Sequence, residues 1–427
     1  MKKVLIVTYY WPPAGGPGVQ RWLKFVKYLP GQGVEPIVYI PENPTYPLLD
    51  QTLVNEVSDQ ITIIKQPILE PYRFAQLFSK KESKTISKGI IANEKNQSLI
   101  QKLLLYIRGN FFIPDARKFW VSPSIQYLKS YIEAKAIKKI ITTGPPHSVH
   151  LIGKGLKDLL EVQWIADFRD PWTTIGYHNR LRLTKRSEQR HKTLEKSVLQ
   201  TADHIVVTSF RTQKEFQEIT TTPVSVITNG YDIENVDEIA LDDKFTIAHI
   251  GSLLSRRNPK VLWEALYELT QENIDFAELF QLHLVGAVSD DVLTSIRKAG
   301  LSDFLILKGY LSHKEAIKIQ RSSQVLLLIE IDSEETKCII PGKLFEYMIA
   351  KRPILAIGPN GADISRLINE SNVGVFFEYN EKFKIKEQLL DFFQKYKQKQ
   401  LFSDAGNITK YSRKELTKAL ADILKSL

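Results

Sequence analysis

The residues best suited to chemistry stand at breaks between apolar runs. In "IIPGKLFEYM", 339–348, Pro341 and Gly342 interrupt the chain, and Leu344, Phe345 and Met348 then recur at helical spacing. Lys343 therefore falls at the start of a helix, where unpaired N–H groups and the helix dipole already concentrate positive charge. A cation there is mildly unfavourable unless an anion joins it. A phosphate would accept from the N–H groups and the ammonium together. The plainer alternative is a surface Lys343–Glu346 pair at i, i+3, worth about 0.2–0.5 kcal/mol.

A second basic loop, "HIGSLLSRRNPK" at 249–260, makes the phosphate the better reading. Gly251 permits close approach, and Arg256, Arg257 and Lys260 are candidate diphosphate ligands ahead of another helix, with a solvated loop as the alternative. In "ADFRDPW", Asp167, Arg169 and Asp170 place three charges within four residues at the end of an apolar strand. Isolated buried charges are costly, so these should pair internally or meet a ligand. "TTGPPHSVH" puts His147 where a helix begins, with Ser148 as a candidate cap. His147 could donate a proton or bind a sugar hydroxyl; a solvated capping residue is the alternative. In "PPAGGPG", Gly15 and Gly16 would let the backbone approach a ligand beside a helix N-terminus, although the run is neither a dinucleotide fingerprint nor a Walker loop. "ITNGYD", 227–232, is a turn signal that suits a hinge.

These loops need elements to hold them. The first 40 residues read as strand, glycine loop, amphipathic helix, strand: one βαβ unit. Residues 41–120 are less regular, and the polar stretch 79–98 reads as an insertion or flexible loop. Alternation returns from 137 to 230, and a second strand–helix series runs from 245 to 397. Two such series predict an α/β protein of two doubly wound domains with parallel sheets, facing each other across a cleft. The expected boundaries are 1–235 and 236–405, with a final helix in 406–427 packing back on the first domain.

Composition agrees. A chain of 427 residues is too long for one ordinary core. Its single cysteine, Cys338, rules out an intrachain disulfide and fits a reducing cytosol. The start "MKKVLIVTYYWPPAGG" reads as a buried strand rather than a signal peptide, and no run reaches the roughly 18 apolar residues that span a bilayer. The net charge of +10 calls for an anionic partner. Basic residues are dense at 78–88 and 179–192, yet there is no nucleic-acid motif and no zinc spacing.

The motifs "PPAGG", "DFRDPW", "VITNGYD", "HIGSL" and above all "IPGKLFEYMIAKRPILAIG" resemble glycosyltransferase family 4, retaining enzymes of the GT-B fold, and bacterial surface-polysaccharide glycosyltransferases in particular. The resemblance runs over nearly the whole chain. It implies a nucleotide-diphosphate sugar, UDP- or GDP-linked, as donor and no cofactor or metal. It implies a lipid-linked or polysaccharide hydroxyl as acceptor at the cytoplasmic membrane face, and the +10 charge with the basic first-domain segments favours peripheral attachment to anionic lipids. By the same resemblance Arg256 or Arg257, with Lys343, would hold the diphosphate. Glu346 would accept from the ribose, and Gly15 and Gly16 would lie near the phosphates. Two positions depart from the family. Cys338 stands where a first glutamate usually contacts the donor sugar, leaving Glu334 or Glu335 as substitutes. Arg169 stands where many members have a histidine; it stays protonated, so it would stabilise charge while Asp170 places a substrate, with His147 as a second catalytic candidate. The rival functions are a nucleotide-sugar epimerase on the same fold and a non-catalytic sugar-nucleotide binder.

Overall fold

The structure, a computed structural model, describes residues 2–70, 98–176, 178–232, 239–406 and 408–427. The basic run 78–88 and nearly all of the polar stretch 79–98 lie outside the described residues. The chain forms two compact units, residues 1–229 with 413–427, and residues 230–412.

The first unit contains β1 (Lys2–Thr8), α1 (Pro17–Tyr28), β2 (Val34–Pro41), β3 (Thr62–Gln66), α2 (Leu99–Phe111), α3 (Val121–Lys135), β4 (Lys139–Gly144), α4 (Ser148–Leu159), β5 (Gln163–Phe168), α5 (Lys185–Thr201), β6 (His204–Val207), α6 (Phe210–Gln217) and β7 (Val224–Val226). Its strands form a parallel sheet in the order β3-β2-β1-β4-β5-β6-β7. Both faces are covered, so its central strands are apolar throughout. Successive residues of β1 serve opposite faces. Leu5 and Val7 pack with Leu128, Ile132, Ile152 and Leu156 of α3 and α4, while Val4 and Ile6 pack with Trp22 and Val26 of α1.

The second unit contains β8 (Phe245–Ile250), α7 (Lys260–Glu272), α8 (Ile274–Leu279), β9 (Phe280–Val285), α9 (Asp290–Lys298), β10 (Leu305–Gly309), α10 (His313–Ser322), β11 (Val325–Ile329), α11 (Gly342–Ile349), β12 (Ile354–Gly358), α12 (Asp363–Ser371), β13 (Gly374–Glu378) and α13 (Lys382–Lys397). Its parallel sheet runs β10-β9-β8-β11-β12-β13. The last helix, α14 (Arg413–Ser426), belongs to the first unit, where Leu416, Leu420 and Leu424 join the cluster around Trp22.

Each sheet reverses its order once, between β1 and β4 and between β8 and β11. The loops leaving those strands are where an open α/β sheet binds ligands. Among the described residues, no helix is long and apolar enough to cross a membrane.

Candidate functional site

In the second unit the reversal point gathers a compact charged group. Gly251 follows β8 directly, and its φ of +118° suits only glycine; a Cβ there would sit 3.0 Å from Lys343 Nζ. Lys343 is the second residue of α11, whose N-cap is Pro341 and carries no side-chain cap. Burial pulls the Lys343 ammonium down to about 8, against the favourable pull of Glu330. Glu330 follows β11, is 1% exposed, and takes a bond of 3.2 Å from Arg257 Nη2. Its other oxygen, Oε1, is buried without a partner among the described residues. Burial raises the Glu330 carboxyl, and Arg257 and Lys343 pull it back. Two cations thus flank one buried carboxylate, beside a glycine with no side chain to crowd the Lys343 ammonium.

Glu346, one turn along α11 from Lys343, accepts from Gln320 Nε2 of α10 at 3.2 Å. No Lys343–Glu346 ion pair forms among the described residues. Of the two candidate arginines, Arg257 joins the group and Arg256 is exposed on the loop. Glu334, a candidate substitute for the missing first glutamate, is tied to Lys337. Sequence reasoning missed Glu330. The signal was an acidic residue closing the apolar run "VLLLIE", at a strand end where a lone buried charge must find a partner.

In the first unit the loop after β1 is strapped to a neighbouring segment. Gly15 N–H donates to Leu48 O at 3.0 Å, and Asp50 N–H to Pro13 O at 2.8 Å. The space at Gly15 is therefore taken up by Leu48 and Asp50, and that glycine serves packing. Gly16 caps α1 at φ +107°, with open space where a Cβ would stand. The glycine that makes room for the Arg169 side chain is Gly18, absent from the sequence-based candidates. A Cβ there would lie 1.6 Å from Arg169 Nη1.

Arg169 donates from Nε to Gly144 O at 3.1 Å and from Nη2 to Pro145 O, and its guanidinium lies 5.9 Å from the Tyr10 ring centre. Of the three charges expected to pair internally or meet a ligand, Asp167 does not pair with Arg169. Asp167 is fully buried and binds elsewhere, accepting from Arg21 Nη2 at 3.1 Å, Trp22 Nε1 at 2.8 Å and Thr143 Oγ1 at 2.7 Å. Asp170 is half-buried, and burial raises its carboxyl against the pull of Arg169.

His147 is not a solvated cap. It is 5% exposed, stacks on Trp172 at 5.0 Å with 3° between planes, and leaves both ring nitrogens buried without partners among the described residues. Burial, with positive neighbours adding to it, holds its pKa well below the ordinary value, so it is neutral and a poor proton donor. Ser148 is not the cap either: Asp115 accepts from Ser148 N–H and Oγ at 2.9 Å each. Trp172 in turn donates to His191 Nδ1 at 3.1 Å, and His191 meets His178 edge-on at 4.7 Å. Glu195 of α5 secures the same loop, accepting from Trp172 N–H at 3.2 Å and Thr173 N–H at 3.1 Å.

This packing has a pH consequence. Burial lowers His178 to about 4, below the unfolded value near 6.5, so stability is complete above about 6.5 and drains as pH falls toward 4, where the unfolded chain holds the extra proton. The buried carboxyls Asp170, Glu195 and Glu330 are raised and act in the opposite sense, so the test is a difference. Relative to His178→Gln, the parent should lose up to about 1.4 kcal/mol per pH unit across that window, read from urea unfolding at several pH values. A pH-independent difference would contradict the buried neutral histidine.

No protein-family model matches the sequence, and no curated protein matches it. Solved structures do resemble it. A glycosyltransferase from Rickettsia africae ESF-5 is similar at TM-score 0.60 and 14% identity, over 100% of this chain and 98% of its own. The lipopolysaccharide outer core galactosyltransferase WaaB, in apo form, is similar at 0.58 and 13%, over 100% of both chains. A candidate UDP-N-acetylglucosamine 2-epimerase from Listeria monocytogenes is similar at 0.56 and 12%, over 100% of this chain and 96% of its own. At such identities the likeness speaks to architecture. Two parallel-sheet Rossmann-like units, matched along the full chain, give this protein the GT-B fold.

Proposed function

We propose that this chain is a retaining glycosyltransferase of the family 4 type. It would move a sugar from a UDP- or GDP-sugar to a hydroxyl of a lipid-linked or polysaccharide acceptor, in cell-surface polysaccharide synthesis at the cytoplasmic face of a membrane. The observation that carries the reading is the Arg257–Glu330–Lys343 group around Gly251 at the β8/β11 reversal. A diphosphate would accept from Lys343, Arg257 and the uncapped N–H groups of α11 at once, and Glu346 would accept from the ribose. In the reaction, the acceptor oxygen bonds to the anomeric carbon as the bond from that carbon to the diphosphate oxygen breaks on the same face. The acceptor proton passes to the departing phosphate oxygen. Stabilising that leaving group is the catalytic task assigned to Lys343 and Arg257. Arg169 and Asp170 are assigned charge stabilisation and substrate placement.

The test is turnover: release of UDP or GDP from a panel of nucleotide sugars, with and without membrane-extracted acceptor, followed by mass spectrometry. Acceptor-dependent release supports the proposal. The epimerase among the similar structures favours one rival, which predicts an isomerised sugar without acceptor. Absence of turnover with every donor would leave only the binder.

Gly18→Ala tests the first-unit role. The new methyl overlaps the Arg169 guanidinium, which must leave the Gly144 and Pro145 carbonyls. Alanine gains about 0.8–1 kcal/mol of helix propensity, which offsets much of the loss, so turnover should drop at least about tenfold with little change in stability. Unchanged turnover would remove Arg169 from the mechanism.

A further inference from the structure

One member of the charged group at the β8/β11 reversal works against a phosphate. Glu330 carries a carboxylate where two cations gather. Its backbone fixes it there. Glu330 N–H donates to Ile357 O of β12 at 2.8 Å, and Tyr379, just after β13, donates from its hydroxyl to Glu330 O at 2.7 Å. The Glu330 side chain is 2% exposed, against 24% for that of Arg257. The pair thus keeps its anion inside and presents its cation outward.

The pairing is incomplete on both sides. Arg257 Nη2 meets Glu330 Oε2 at 3.2 Å, while Arg257 Nε and Glu330 Oε1 are buried without partners among the described residues. A buried carboxylate with an unmatched oxygen is costly. A glutamine of the same length would accept from Arg257 as well and would cost less to bury. Holding Arg257 in place therefore does not by itself require the charge. The charge has a separate effect on a ligand. Two cations that stabilise a departing diphosphate also retain the product nucleotide, and product release limits many enzymes. A fixed carboxylate in contact with one of those cations offsets part of their pull.

We propose that Glu330 is a resident counter-anion of the diphosphate site: it orients the Arg257 guanidinium and, by its own negative charge, loosens the grip on the diphosphate so that the nucleotide leaves. This rests on the diphosphate reading of the proposed function and adds a release device to that site. Glu330 acts through Arg257 and is a positioning residue.

The charge also gives the device a pH signature. Arg257 from the loop after β8, Lys343 from α11 and the Tyr379 hydroxyl are the titratable groups set around Glu330. Burial raises its carboxyl, and a diphosphate beside it favours the protonated form further. The effect of the charge should therefore fade as the solution is acidified.

The experiment is calorimetric titration of the full chain with UDP and with GDP, and stopped-flow displacement of the one that binds, for the parent, Glu330→Gln and Glu330→Asp. Glu330→Gln keeps the acceptor for Arg257 and removes the charge; Glu330→Asp keeps the charge and shortens the reach. The glutamine variant is expected to bind about tenfold more tightly than the parent and to release the nucleotide correspondingly more slowly. That gap should narrow as pH falls from about 7 toward about 5, while protonation of the phosphate affects parent and variant alike. The aspartate variant should show no tightening. A folded glutamine variant that binds equally or more weakly, a gap that ignores pH, or equal tightening by aspartate would overturn the proposal. Any of these, with the parent still binding, leaves the diphosphate reading in place. Binding of neither nucleotide by parent and variants alike would overturn both.

Discussion

Replacing Lys343 by alanine is expected to weaken nucleoside-diphosphate binding roughly 10- to 100-fold, because a hydrogen bond to a charged group contributes about 1.5–3 kcal/mol. The surroundings favour the upper end. Lys343 is drawn out of water at the head of α11, and Gly251 leaves its ammonium a clear approach. An ion pair buried this way is screened less than one on the surface. The pH profile should carry the same signature. With the free ammonium held at about 8, affinity should be steady below that pH and fall above it, where the unliganded lysine loses its proton and the diphosphate must recruit it again. Arg257→Ala should act in the same direction. It also strips the Glu330 carboxylate of its hydrogen-bond partner and leaves it buried beside the proposed diphosphate position. Binding that ignores both substitutions would return Lys343 to an incidental cation.

Asp167→Ala should cost about 3–5 kcal/mol of stability, the usual penalty for leaving one half of a buried ion pair. Arg21 and Asp167 side chains are 2% and 1% exposed, and Arg21 also donates to Thr228 O at 2.6 Å. Removing the carboxylate strands Arg21, Trp22 and Thr143 together. These residues join α1 to the ends of β4 and β5, so the loss falls on the frame that carries Arg169. For a unit of this size the melting transition should drop by roughly 10 °C in calorimetry. A drop under about 2 °C would mean that the buried network is looser than its distances suggest. The double change Arg21→Met with Asp167→Leu should recover part of the loss, since apolar replacement of a buried pair is often neutral or better.

Much of this was legible in the sequence, for physical reasons. Buried parallel strands are continuous apolar runs, so "VLIV", "IITT" and "VLLLI" marked themselves, and "PGKLFEYM" announced a helix by its break and its period. What escaped lay where the pattern lacks a period or depends on distant residues. Helix α2 carries apolar residues on its seat and on its outward face alike, so no single stripe stood out in "LIQKLLLYIRGNF". Strand β3 is a short edge strand of mixed composition. The partner of Asp167 was sought two residues away and lies 146 residues away at Arg21. Gly18 looks like one more residue of a glycine-rich turn until Arg169 is seen filling its missing side chain. Glu330 required the same knowledge: a strand-end acid gains meaning once Arg257 is beside it.

The most direct test of the central claim is calorimetric titration of the parent chain against UDP, GDP, ADP and CMP, with Lys343→Ala and Glu346→Ala in parallel. The account predicts that UDP or GDP binds in preference to the others and that both substitutions weaken it. Binding of none of the four, or equal binding by the parent and both variants, would contradict it.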